Sequence, residues 1–95
     1  MRLTDFEKKV IIKAITAEDA TARVFVFGSR ADDSARGGDI DLLVLSGRFN
    51  KKLKRAARWQ IVEELGEQKI DIVTSVDGTE PFVRLIRERA EEITL

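Results

Sequence analysis

The sequence predicts a single-domain α/β (α+β) protein in which a small mixed sheet is packed by helices in the order α-β-α-β-α-β-α. Three observations predict it. Segments with apolar residues every three or four positions alternate with short β-branched runs, the pattern of helices shielding a sheet. The punctuation between them is glycine, aspartate and the one proline. Ninety-five residues with 43% hydrophobic content can bury one core and fit one domain, residues 1–95.

Each element has a local reason. Thr4-Asp5-Phe6-Glu7 has the form of a capping box and opens a helix running to about Asp19. Phe6, Val10, Ala14 and Ala17 form its row, widened by Ile11, Ile12 and Ile15. Arg23 to Phe27 is an apolar β-type run, and a short helix is expected over 29–34 behind Gly28-Ser29. Ala35 to Gly38 leads to a second strand over Asp39 to Leu45, stopped by Gly47. Lys51 to Leu65 is a helix with Leu53, Ala57, Ile61 and Leu65 in one row, and Gly66 stands at its C-terminal stop. Lys69 to Thr74 alternates as a third strand. Asp77-Gly78 is a turn, and Pro81 sits where a missing N–H is harmless at the start of a last helix, with Phe82, Leu85, Ile86 and Ala90 inward.

Composition excludes several classes. No cysteine means no disulfide framework, thiol nucleophile or thiolate metal site, and no histidine means that any general base is a carboxylate. No apolar run approaches the ~20 residues of a membrane span, and no signal-peptide pattern precedes Leu3, so a cytoplasmic protein without membrane attachment is expected. Seventeen basic residues balance seventeen acidic ones, which argues against strong direct nucleic-acid binding. One local asymmetry stands out: residues 48–58 carry Arg48, Lys51, Lys52, Lys54, Arg55 and Arg58. A solvated helix face explains such a cluster, and so does an anionic partner. Trp59 reads as packing or as a surface on which a base stacks.

The chemistry concentrates in residues 23–45. Positions i and i+2 of a strand share a face with Cα atoms about 6.6 Å apart, so Asp39 and Asp41 project together while Ile40 and Leu42 face the other way. Ionised carboxylates that close repel, and a divalent cation bound through oxygen relieves them. Asp71 is the lone acid of the third strand. Beside the acidic strand it would complete a three-carboxylate cluster; at an exposed edge it would pair with a lysine. Gly28 lets a ligand approach the backbone, and N–H groups at the start of a following helix favour phosphate. Arg30 and Arg36 flank the site, either to touch phosphate oxygens or to pair with Asp32 or Asp33.

Gly28-Ser29-Arg30-Ala31 followed by Gly38-Asp39-Ile40-Asp41-Leu42-Leu43-Val44 resembles the signature of the DNA polymerase β nucleotidyltransferase superfamily, and most nearly its minimal nucleotidyltransferases. The specific part covers residues 26–44 plus Asp71. The resemblance implies a polymerase-β-like fold, two Mg²⁺ ions held by Asp39, Asp41 and Asp71, and a nucleoside triphosphate, ATP, gripped by Gly28, Ser29 and Arg30. It also implies AMP transfer to a tyrosine of a helical HEPN-type toxin partner, the antitoxin role of such proteins. Ala31-Asp32-Asp33 stands where a second Arg-Gly is common, which leaves the further triphosphate contacts open. Three readings follow: a metal-dependent enzyme, a non-catalytic module that masks its partner, and a small-molecule nucleotidyltransferase, for which 95 residues leave little room. Oligomeric state stays open, with homo-oligomers among the alternatives.

Overall fold

The computed structural model describes residues 1–33 and 38–94. Its elements are α1 (Asp5–Glu18), β1 (Arg23–Phe27), a single 3₁₀ turn (Gly28–Ala31), β2 (Ile40–Leu45), α2 (Lys51–Leu65), β3 (Ile70–Ser75), α3 (Pro81–Arg89) and a two-residue β4 (Glu91–Glu92). The strands lie in the order β3-β2-β1-β4. β1 is antiparallel to β2 and to β4, whereas β2 and β3 are parallel, so the sheet is mixed. Helix α2 is the crossover that a parallel pair requires.

Helix α1 starts as its capping box dictates: Glu7 N–H donates to Thr4 Oγ1 (3.0 Å) and Thr4 N–H to Glu7 Oε1 (2.8 Å). Its buried face is Val10, Ile11, Ala14 and Ile15. The expected row is displaced, since Phe6 is 58% exposed and Ala17 lies outside too. Together with Ala57 and Ile61 of α2 this face covers Val24, Val26, Ile40, Leu42, Val44, Ile70 and Ile72 of the sheet. The other sheet face carries Phe25, Leu43 and Leu45 and is covered by α3 through Val83, with Ile86 and Ala90.

Two expectations are corrected here. Phe82 and Leu85 point outward, 66% and 65% exposed, and Val83 faces inward instead. Positions 82-85-86 and 83-86-90 both satisfy helical spacing, and the close-packed surface of Phe25, Leu43 and Leu45 takes the row with the smaller Val83 and Ala90. Of the helix expected over 29–34, the described residues 29–33 hold only the end of one 3₁₀ turn, and Ser34 lies outside the described residues. The Arg2 side chain donates to Ser29 O (2.8 Å) and Asp32 O (3.0 Å), capturing carbonyls that a continuing helix would use.

A buried carboxylate that the sequence reading passed over ties the ends of α1 and β2 together. Asp19 accepts from Ser46 Oγ, from Thr21 N–H (3.0 Å) and from Thr21 Oγ1 (2.8 Å). The Ser46 hydrogen bond first, then those of Thr21, hold its carboxyl below the usual carboxylate range, with Arg48 assisting. A depressed native pKa stabilises the fold above the unfolded-state pKa and is lost as pH falls through the native one. Asp19→Asn is therefore expected to melt lower than the native protein at neutral pH. In thermal denaturation the difference should narrow below a pH of about 4.

Candidate active site

The parallel pairing decides the site. Asp41 stands in register with Asp71, and Phe27 lies opposite Asp41 on the other side. Parallel neighbours in register point to one face, here the face of Leu43 and Val73, at the N-terminal ends of β2 and β3. Ile40 and Leu42, completely buried, face the α1 and α2 side as alternation requires. Val83 sits over Leu43 and Leu45, further along the strands, while Asp39 and Asp71 stay half exposed and Asp41 half-buried.

The carboxylates repel one another as their spacing dictates. Burial pushes the Asp41 carboxyl up, and the charges of Asp71 and Asp39 push it further, against the pull of Lys69. The Lys69 ammonium reaches both flanking acids, 3.8 Å from Asp39 Oδ2 and 4.0 Å from Asp71 Oδ2, with 68% of its side chain exposed. As the side chains stand, the described residues form no closed three-carboxylate cage. Asp71 lies on the outer strand of the sheet, with the Lys69 ammonium 4.0 Å from its Oδ2, and stands in register beside Asp41.

The chemistry of the donors nonetheless suits a divalent cation. The site offers three oxygen-only side chains, Asp41 and Asp71 on adjoining strands and Asp39 just before β2, an Asp41 carboxyl pushed up by burial and then by its neighbours' charge, and a cation already drawn between Asp39 and Asp71. Pairs of 3.8–4.0 Å between exposed groups contribute below about 1 kcal/mol, so Lys69 would not hold the acids against a divalent ion. Without its charge the three acids repel unrelieved. Lys69→Met is expected to lower the melting temperature in metal-free buffer at neutral pH by a few degrees, the shift of roughly 0.5 kcal/mol. Differential scanning calorimetry across pH checks it, because the loss should vanish once the carboxylates are protonated.

The glycine-serine turn presses directly on these acids. Gly28 has φ +69°, and a Cβ there would overlap Asp41 Oδ2; at Gly38, φ +94°, a Cβ would overlap Ser29 Oγ. The turn that would hold phosphate and the carboxylates that would hold metal are thus in contact. With one 3₁₀ turn in place of the expected helix, any anion would be met by the turn's own N–H groups and Ser29 Oγ rather than by a helix dipole.

Arg30 does other work than expected. Its Nε donates to Gly38 O (3.3 Å), its Nη1 donates to Arg2 O (3.0 Å) and lies 3.6 Å from Glu7 Oε2, and its side chain is largely buried. Arg2 answers with its own N–H on Arg30 O (2.7 Å). Arg30 thus binds the turn to Gly38, the residue before Asp39. Asp33 pairs with the Met1 ammonium rather than with Arg30, and Arg36 lies outside the described residues. The sequence reading missed Arg2, which carries no local signal, and the part of Lys69, which period two places on the face of Asp71.

A concavity of about 480 Å³ lined by Asp77, Gly78, Thr79, Arg84, Arg87 and Glu88 follows the far end of β3 and does not include the acids.

A mixed sheet whose first strand ends in a glycine-serine turn against clustered carboxylates is the framework of an enzyme that handles phosphoryl groups. The chain belongs to the nucleotidyltransferase domain family, whose model matches residues 8–94. It is a transferase of nucleotidyl groups with the polymerase-β-like fold of that family. Among curated proteins nothing matches the chain. No described helix is long and apolar enough to cross a membrane.

Proposed function

We propose that this nucleotidyltransferase moves AMP from ATP to an acceptor hydroxyl, and that the acceptor is a tyrosine of a HEPN-type helical toxin for which the chain is the antitoxin. The observation that carries the transfer is the contact between Gly28 and the Asp41 carboxylate, with Asp71 in register beside it. The acceptor rests on the resemblance of residues 26–44 and Asp71 to minimal nucleotidyltransferases alone. The chain contains no tyrosine, so the modified residue lies outside these 95 residues.

Asp39, Asp41 and Asp71 would hold Mg²⁺, which when bound neutralises phosphate charge and lowers the pKa of a coordinated hydroxyl. Gly28 and Ser29 hold the β and γ phosphates through backbone N–H groups and Ser29 Oγ. Arg30 keeps that turn against Gly38 and is a positioning residue here. The acceptor oxygen forms a bond to the α-phosphorus, the bond from that phosphorus to the β-phosphate oxygen breaks, and pyrophosphate leaves. Asp71, half exposed, takes the hydroxyl proton, as no histidine exists to do so.

Incubating the purified chain with Mg-ATP and a candidate partner, then reading pyrophosphate release and added AMP by mass, tests the proposal. Absence of both with every partner tried refutes it. A second reading has one observation in its favour: an ammonium already sits between the acids, as suits a module that masks its partner without catalysis. Isothermal titration with Mg-ATP separates the two, since a masking module has no need to bind it.

A further inference from the structure

We propose that the solvent face of α2 binds single-stranded nucleic acid, with Trp59 as the stacking surface and Lys52 and Arg55 on the phosphates. Lys52, Arg55, Ala56 and Trp59 line one shallow hollow on this helix. Their spacing of three, four and seven residues aligns them along one face, about 10.5 Å from Lys52 to Trp59. Trp59 is 66% exposed. Small Ala56 beside it leaves the ring open to a flat partner.

The charges around the ring are uncommitted. Among the described residues Lys51, Lys52, Lys54 and Arg55 have no carboxylate partner, whereas Arg58, the next basic residue, is used internally, its Nε donating to Ile70 O (3.0 Å). Four cations crowd the first five residues of α2 with no acid in its first turn, against the helix dipole. Bound phosphate would relieve both the repulsion and the dipole mismatch. Glu63, one turn beyond Trp59, bounds the patch on its C-terminal side.

The surroundings favour nucleic acid over an acidic protein. Among the described residues the other large exposed apolar side chains, Phe6, Val76, Phe82 and Leu85, lie outside α2, so Trp59 stands alone among charges. A protein interface core gathers several apolar anchors and sheds lysine. One aromatic ring flanked by cations is instead the arrangement that grips a base and its backbone without reading sequence. The balanced net charge still holds, so binding should be weak and strongly salt-dependent. Helix α2 packs on the sheet face opposite the carboxylates, which makes this site separate from the transfer chemistry.

The chain tests itself, for Trp59 is its one tryptophan and it has no tyrosine. Emission from the protein therefore reports on this patch alone. Titration with oligouridylate and with oligothymidylate in low salt is expected to quench Trp59 saturably and about equally, since stacking and charge do not read the sugar. Lys52→Glu/Arg55→Glu should weaken binding at least about tenfold and reduce the slope of log K against log salt by about 1.4, two contacts at about 0.7 each. These reversals suit the helix dipole, so circular dichroism should stay native. Trp59→Phe, followed by anisotropy of a labelled oligonucleotide, should also lose affinity. Absence of quenching at low salt, undiminished binding by the double variant, or equal quenching by polyglutamate would each overturn the proposal, the last in favour of an acidic protein.

Discussion

Replacing Asp41 by asparagine is expected to cut pyrophosphate release at least about a hundredfold, the scale of losing one electrostatic stabiliser of the reaction, while the protein becomes more stable. The two effects share one cause. Burial and the charges of Asp71 and Asp39 raise the Asp41 pKa in the folded state. A raised native pKa contributes stability below the unfolded value and loses it as pH rises through the native one, so at neutral pH the ionised Asp41 costs stability. Asparagine keeps the shape and removes that cost. In metal-free buffer at neutral pH the variant should melt above the native protein, and the gain should shrink in acid. Added Mg²⁺ should raise the native melting temperature and leave the variant nearly unmoved. A variant that is both less active and less stable would show that Asp41 is held by hydrogen bonds rather than strained by its neighbours.

The second large effect is expected at Gly28→Ala. The residue sits at φ +69°, where an L side chain costs about 1–2 kcal/mol, and its new methyl would meet Asp41 Oδ2. Stability should fall by more than the backbone cost, and transfer activity should fall with it because the carboxylate must move. Gly66 provides the control. It ends α2 at φ +85° and ψ 174°, a region almost closed to L residues, with nothing near the site of an added Cβ, so Gly66→Ala carries backbone strain of its own without any collision. Melting temperatures of the two variants isolate the contact between turn and acid. If they fall equally and Gly28→Ala keeps its activity, the contact has no catalytic meaning.

Much of this arrangement is legible in the sequence. The α2 helix follows from its apolar row and from Gly66 and the α1 start from Thr4 and Glu7, all local signals, whereas Asn50, which caps α2, went unread. Alternation puts Ile40 and Leu42 inside and leaves Asp41 on the opposite face of the sheet. What sequence could not supply was long-range. The helix expected after Ser29 was replaced by a turn because Arg2, 27 positions away, takes its carbonyls. Arg30 looked like a phosphate ligand until Gly38, Arg2 and Glu7 claimed it. Strand β4 is two glutamates with no β-type composition, and it exists because β1 offers an open edge; Arg23 then holds Glu92 in a two-pronged pair (3.0 and 2.8 Å). Phe82 and Leu85 show the reverse limit: their spacing was compatible with burial, and only the sheet surface below decides between two rows.

The alignment of β3 against β2 makes the loop 66–69 a ruler for the chemistry. Side chains along a strand alternate, so removing or adding one residue there without moving the helix would turn Asp71 towards the helices α1 and α2 and bring Ile70 or Ile72 alongside Asp41. An acid would then lie in the oily interior and an aliphatic side chain where charge is required. The length of that short segment is as much a part of the catalytic equipment as the aspartates themselves, although none of its side chains need touch a nucleotide.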